Sequence, residues 1–237
     1  MQLLTFSTAL LLALIHVFSG LLRFLEGVPR NRWLSVAGGV SVAYVFLHLL
    51  PELNRGVESP DRFLPAVEQL LYLVGLVGLA FFYGMKKLVR TSRSNETTAL
   101  SGRPATAFWL HIASFALYNL IVGYLLVHRE ESGFGSLLWF VVAMALHFIV
   151  NDFGLREDHK TDYHTKGRWI LATAVVAGWA LGESIAFPKG VVTALFAFLA
   201  GGIVLNVLSE ELPEERHSRF WAFALGAGGY AALLLIA

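Results

Sequence analysis

The chain has 237 residues, of which 56% are hydrophobic and 15% charged, against about 25% charged in an ordinary soluble domain. Net charge is +1 and cysteine is absent, which argues against a nucleic-acid partner and excludes disulfides and thiolate metal ligands. A mean hydropathy of +0.63 points to a polypeptide that crosses a lipid bilayer several times.

Apolar runs of about 20 residues can cross the hydrocarbon core. In chain order, eight are predicted, at 3–22, 33–50, 66–85, 105–127, 134–155, 169–187, 191–208 and 220–237. The first charged side chain is Arg23, so the opening run lacks the basic leader of a signal peptide and is read as a retained helix. Open sheets are excluded from lipid by their unbonded edges. The expectation is an all-α integral membrane protein, one domain over 1–237. Its inner connections at about 86–104 and 156–168 are expected as loops.

Fourteen of the 18 Lys and Arg residues fall in connections on one side of these spans and four on the other. The basic side is cytoplasmic by the positive-inside rule, which places both termini outside. On that topology the stretch His48-Leu-Leu-Pro-Glu52 lies at the outer end of the second span. The similar Leu212-Pro213-Glu214 lies at the inner end of the seventh. Each follows a glycine pair, Gly38-Gly39 and Gly201-Gly202, although the spacing from the pair to the proline differs by one residue. Similar helices pointing opposite ways suggest an inverted repeat, helices one to three against six to eight.

Polar side chains within spans are costly and mark functional suspects. In the fourth span His111, Ser114 and Tyr118 share a helical face, with Asn119 adjoining. In the fifth, His147 and Asn151 stack one turn apart, and Asp152 follows, about 100° round the helix. Imidazole is the commonest metal ligand, so His147 is the leading candidate. His16 and His48 are read as packing histidines. The charged stretch with Asp158, His159, Asp162 and His164 is read as solvated rather than as a regulatory metal site. The cluster Glu210, Glu211, Glu214, Glu215 and His217 fits a mouth that attracts departing cations and a solvated helix end equally well. No nucleophile elbow, phosphate loop or His-Glu-x-x-His motif occurs, so no enzyme is expected.

Taken together, the chain resembles the ZIP (Zrt/Irt-like) family of divalent-metal transporters along nearly its whole length. His48-Leu-Leu-Pro-Glu52 is similar to the end of that family's second helix. Ala200-Gly201 through Leu212-Pro213-Glu214 is similar to its seventh. Tyr118-Asn119-Leu-Ile-Val122-Gly123 stands where the family has His-Asn-x-x-Asp/Glu-Gly. His147-Phe148-Ile-Val150-Asn151-Asp152-Phe-Gly154 stands where it has His-Glu-x-Pro-His/Glu-Glu-x-Gly. Asn119, His147, an acid at Asp152 and both glycines remain, whereas Tyr118, Val122, Phe148, Val150 and Asn151 replace family residues.

The resemblance implies an eight-helix bundle with an inverted 3+2+3 repeat. It implies ATP-independent, alternating-access transport of a divalent ion such as zinc through a reduced site of Asn119, His147, Asn151, Asp152 and Glu183. It further implies no resident cofactor and a homodimer in the bilayer, and the compact form suggests a bacterial plasma membrane. The alternative is a ZIP-fold sensor or scaffold that no longer transports, because Tyr118, Val122 and Phe148 would fill the pathway. A polar track past Tyr118 and Phe148 would favour transport, and a packed apolar plug the alternative.

Overall fold

The computed structural model describes residues 2–21, 30–49, 51, 65–98, 105–128, 133–206 and 220–236. Among these the backbone is helical except at 128, 133 and 185–188. Its α-helices are α1 (Gln2–Phe18), α2 (Arg30–Tyr44), α3 (Pro65–Thr98), α4 (Ala105–Val127), α5 (Phe134–Asp162), α6 (Arg168–Ser184), α7 (Lys189–Asn206) and α8 (Phe220–Ile236). A 3-10 turn (Ser19–Leu21) extends α1, and a π-helical turn (Val45–Leu49) extends α2.

Four helical stretches are long and apolar enough to cross a membrane: Gln69–Thr91, Thr106–Val127, Leu137–Ser184 and Lys189–Asn206. Shorter apolar helices at Gln2–Phe18, Ser35–His48 and Phe220–Leu235 accompany them. On α3, Leu70, Leu73, Leu76 and Val77 are all exposed. An outward apolar face of that kind suits lipid rather than water. The described chain is all-α, with the length and composition of a membrane protein.

Two expected loops are corrected. Residues 86–98 continue α3, because no Pro lies between 66 and 103 and its Lys and Arg side chains are good helix formers. Lys87 and Arg90 are exposed while Val89 is buried, so the extension keeps one face on the protein. Residues 156–167 are helical too, with non-helical dihedrals at His159 (φ −131°, ψ 26°) and a π-helical turn at Tyr163–Gly167. Leu155 and Tyr163 anchor this stretch by packing among Phe108, Ile112 and Leu171. The Leu-Pro-Glu at 212–214, the acidic cluster 210–217 and residues 99–104 lie outside the described residues.

The irregularity at 159–167 reverses the chain. His111 of α4 meets His159 of α5 while Tyr118 meets His147, so α4 and α5 are antiparallel. Leu120 meets Gly178 and Tyr124 meets Gly182, so α4 and α6 are parallel. The long apolar stretch through 137–184 is therefore two oppositely directed helices.

Glycines set the closest helix contacts. A Cβ on Gly123 would meet the Val175 carbonyl oxygen and the Trp179 nitrogen, and one on Gly178 would meet the Leu120 carbonyl. The same reciprocal arrangement recurs between α3 and α7, where Gly201 faces Gly75 and Leu79 while Gly78 faces Phe198. It recurs again between α2 and α8, where Gly39 faces Phe223 and Ala227 while Gly226 faces Val36. In each pair one glycine lies against residues three before and one after its partner glycine. Missing side chains let the backbones touch, as small residues do in membrane bundles.

Candidate functional site

The most polar point in the described interior lies where α1, α4 and α5 converge. His16, fully buried, places Nδ1 2.8 Å from Asp152 Oδ1 and 3.0 Å from Oδ2. Its Nε2 is 3.0 Å from the Asn119 Nδ2 amide. These contacts fit the imidazole tautomer with hydrogen on Nδ1, which donates to the carboxylate while Nε2 accepts from Asn119. Asp152 is 0% exposed and Asn119 2%. Three strongly polar side chains from three helices thus satisfy one another in an apolar surround, as buried polar groups must.

Polar contacts continue from this cluster in one direction. Ser19 Oγ donates to the His16 carbonyl at 3.2 Å and lies 3.4 Å from Tyr163 Oη. Arg156 donates to the Ser19 carbonyl at 2.8 Å, and Arg168 to that of Val17 at 3.4 Å. The final carbonyls of a helix have no partner within it. Two guanidinium groups, from α5 and α6, satisfy them here and complement the negative end of the α1 dipole.

In the other direction the cluster is sealed. The Phe148 ring lies 4.5 Å from His16. Tyr118, Val122, Met144 and Phe148 are each at most 1% exposed and belong to one apolar cluster with Phe82. The Tyr118 hydroxyl donates to Met144 Sδ at 3.9 Å, and its ring meets Phe82 edge-on at 6.1 Å. Polar contacts reach Asn119 from the arginine end, and aromatic packing lies beyond.

The structure brings together Asn119 and Asp152 but not the whole expected set. The bridge is His16, which sequence reasoning assigned to packing. His147 is buried 5.5 Å from the Tyr118 ring. Asn151 is buried, and its Nδ2 has no hydrogen-bond partner among the described residues. Glu183 is elsewhere: it accepts from Gln2 at 2.9 Å and from Thr5 at 3.5 Å. Thr5 precedes His16 by eleven residues on α1, roughly 16 Å of helix. At that same end Tyr124 Oη donates to the Ile185 carbonyl at 3.3 Å and accepts the Phe187 N–H at 3.1 Å, pinning the α6–α7 connection to α4.

Among the described residues no group of three His, Asp or Glu side chains converges. The overlooked signal was His16 itself, the sole titratable side chain in α1. No protein-family model matches the chain, and no curated protein is significantly similar to it.

Proposed function

We propose that the chain is a ZIP-like membrane transporter for a divalent cation of the zinc class, with eight crossings, both termini outside and an inverted repeat. The carrying observation is the buried His16–Asp152–Asn119 cluster. A carboxylate removed from water is expensive even when paired, and such groups inside spans mark ion pathways by default.

The repeat draws support from the glycine crossings. Exchanging α2 with α7 and α8 with α3 maps Gly39 onto Gly201 and Gly226 onto Gly78. In that register Pro51 follows Gly39 by twelve residues and Pro213 follows Gly201 by twelve. The one-residue mismatch came from aligning the glycine pairs by their first members. Inverted repeats of this kind are common in secondary transporters.

In this reading Asp152 supplies charge and His16 Nδ1 a nitrogen donor, Asn119 on the opposite ring nitrogen holds the imidazole in place, and water completes the four positions zinc prefers. His147 and Asn151 stand on an adjoining part of α5. The ion reaches the cluster from the cytoplasmic side through the Arg156–Tyr163–Ser19 end. Parting of the Tyr118–Val122–Phe148 seal opens the other side, and no nucleotide is required. A second reading, a ZIP-fold sensor or scaffold in the bacterial plasma membrane, is favoured by the tightness of that aromatic seal.

Uptake by proteoliposomes with an enclosed indicator separates the two. Zinc, manganese, iron(II) or cadmium should enter, and Asp152→Asn should slow entry about tenfold or more, since it removes the one carboxylate among the donors. No uptake of any of the four ions by folded protein would favour the second reading.

A further inference from the structure

Outside the central cluster, a second pair of titratable side chains is joined across two helices among the described residues. His111 Nδ1 of α4 lies 3.2 Å from His159 Nε2 of α5. The rings are nearly perpendicular, at 79°. Phe108 meets the His159 ring edge-on at 5.4 Å and Phe115 flanks His111 at 5.3 Å. His159 is also the residue at which α5 leaves helical geometry, and its carbonyl accepts the Tyr163 N–H beyond the break. Irregular turns inside helices concentrate at functional positions.

We propose that His111 and His159 form a divalent-cation site, distinct from the central cluster, that ties α4 to the break in α5. The spacing carries the assignment. Two imidazole nitrogens held about 2.05 Å from a tetrahedral zinc ion lie about 3.3 Å apart, close to the 3.2 Å found here. An ion bound by both lies off the line between them, so each ring tilts by roughly 40° to aim its nitrogen at it, with little movement of either helix. Both nitrogens bind as neutral imidazole, so the hydrogen between them leaves to water while the outer nitrogen of the same ring takes one up, a change of tautomer with no net proton release.

Other groups nearby are otherwise engaged. Asp162 is paired with Lys166 at 3.4 Å, and the His164 ring lies against Gly20. Water completes the coordination, so the ion exchanges readily. The pair stands eight residues from Asn119 along α4, about 12 Å. An ion there would stiffen the turn between α5 and α6 in response to metal on the arginine side of the bundle.

Cobalt(II) reports the site directly, because imidazole coordination gives it a visible absorption band. Titrating the intact purified protein should reveal a band that zinc displaces. His111→Ala and His159→Ala should each abolish it, and His164→Ala should retain it. His159→Gln, which keeps a polar side chain of similar reach, guards against a folding defect: it should lose the band while unfolding at the wild-type temperature. A band that survives in both His111→Ala and His159→Ala, or no band in the wild-type protein, overturns the proposal. Neither result depends on transport activity.

Discussion

Leucine at Gly123, Gly201 or Gly226 is expected to leave little or no folded protein. At each position even the first added carbon would strike a backbone carbonyl of the neighbouring helix: Val175, Gly75 and Val36 respectively. A flexible side chain could swing aside, but a carbonyl cannot move without its helix. The helices must then separate and lose contact along their length. Overpacking a filled interior costs about 1–3 kcal/mol when neighbours can adjust, and here the loss should be larger. Gly84, Gly228 and Gly229 have open space at the same point. Alanine there should be neutral or slightly stabilising, since alanine favours the helix by about 1 kcal/mol. Thermal unfolding followed by size-exclusion chromatography of all six variants reads the difference. Wild-type melting of the Gly201→Leu protein would show that α3 and α7 do not approach in this way.

Removing either half of the His16–Asp152 pair should destabilise the fold by about 3–5 kcal/mol, the range for a buried pair deprived of one partner. Asp152→Ala strands the His16 Nδ1 hydrogen, and His16→Ala strands both the carboxylate and the Asn119 amide. Replacing both with leucine should cost much less than the sum of the two single changes, because no uncompensated polar group remains. A double-mutant cycle by denaturant or thermal unfolding measures the coupling. Additive costs would mean that the two side chains do not interact in the folded protein.

The helix positions were readable because hydropathy and bilayer thickness dictate them. The fourth span, expected at 105–127, is α4 at Ala105–Val127, and both ends of α6 and the start of α7 lie within three residues of expectation. Where helices stop was less legible. Charge marks where a chain leaves lipid, not where its backbone ceases to be helical, so 86–98 and 156–167 were taken for loops. Periodicity also identifies a helical face without saying what it meets. It grouped His147 with Asn151, whereas Asp152, about 100° away, turned toward His16. Contact between α1 and α5 depends on tertiary packing, which left His16 without a visible partner. The glycines carried more information than spacing alone revealed, because only the crossings show which member of each pair touches the neighbouring helix.

The eight-crossing inverted arrangement underlies the transport reading, and side-specific thiol labelling tests it most directly. The chain contains no cysteine, so single cysteines can be introduced without a background. Gln2, Arg90, Lys160 and Lys189 are all exposed and stand before the first, after the third, after the fifth and after the sixth proposed crossing. Cysteine at Gln2 or Lys189 should react with a membrane-impermeant maleimide in intact cells. Cysteine at Arg90 or Lys160 should react only once the membrane is opened. Labelling of Lys160→Cys and Lys189→Cys from the same side, or of Gln2→Cys and Arg90→Cys from the same side, would contradict the arrangement.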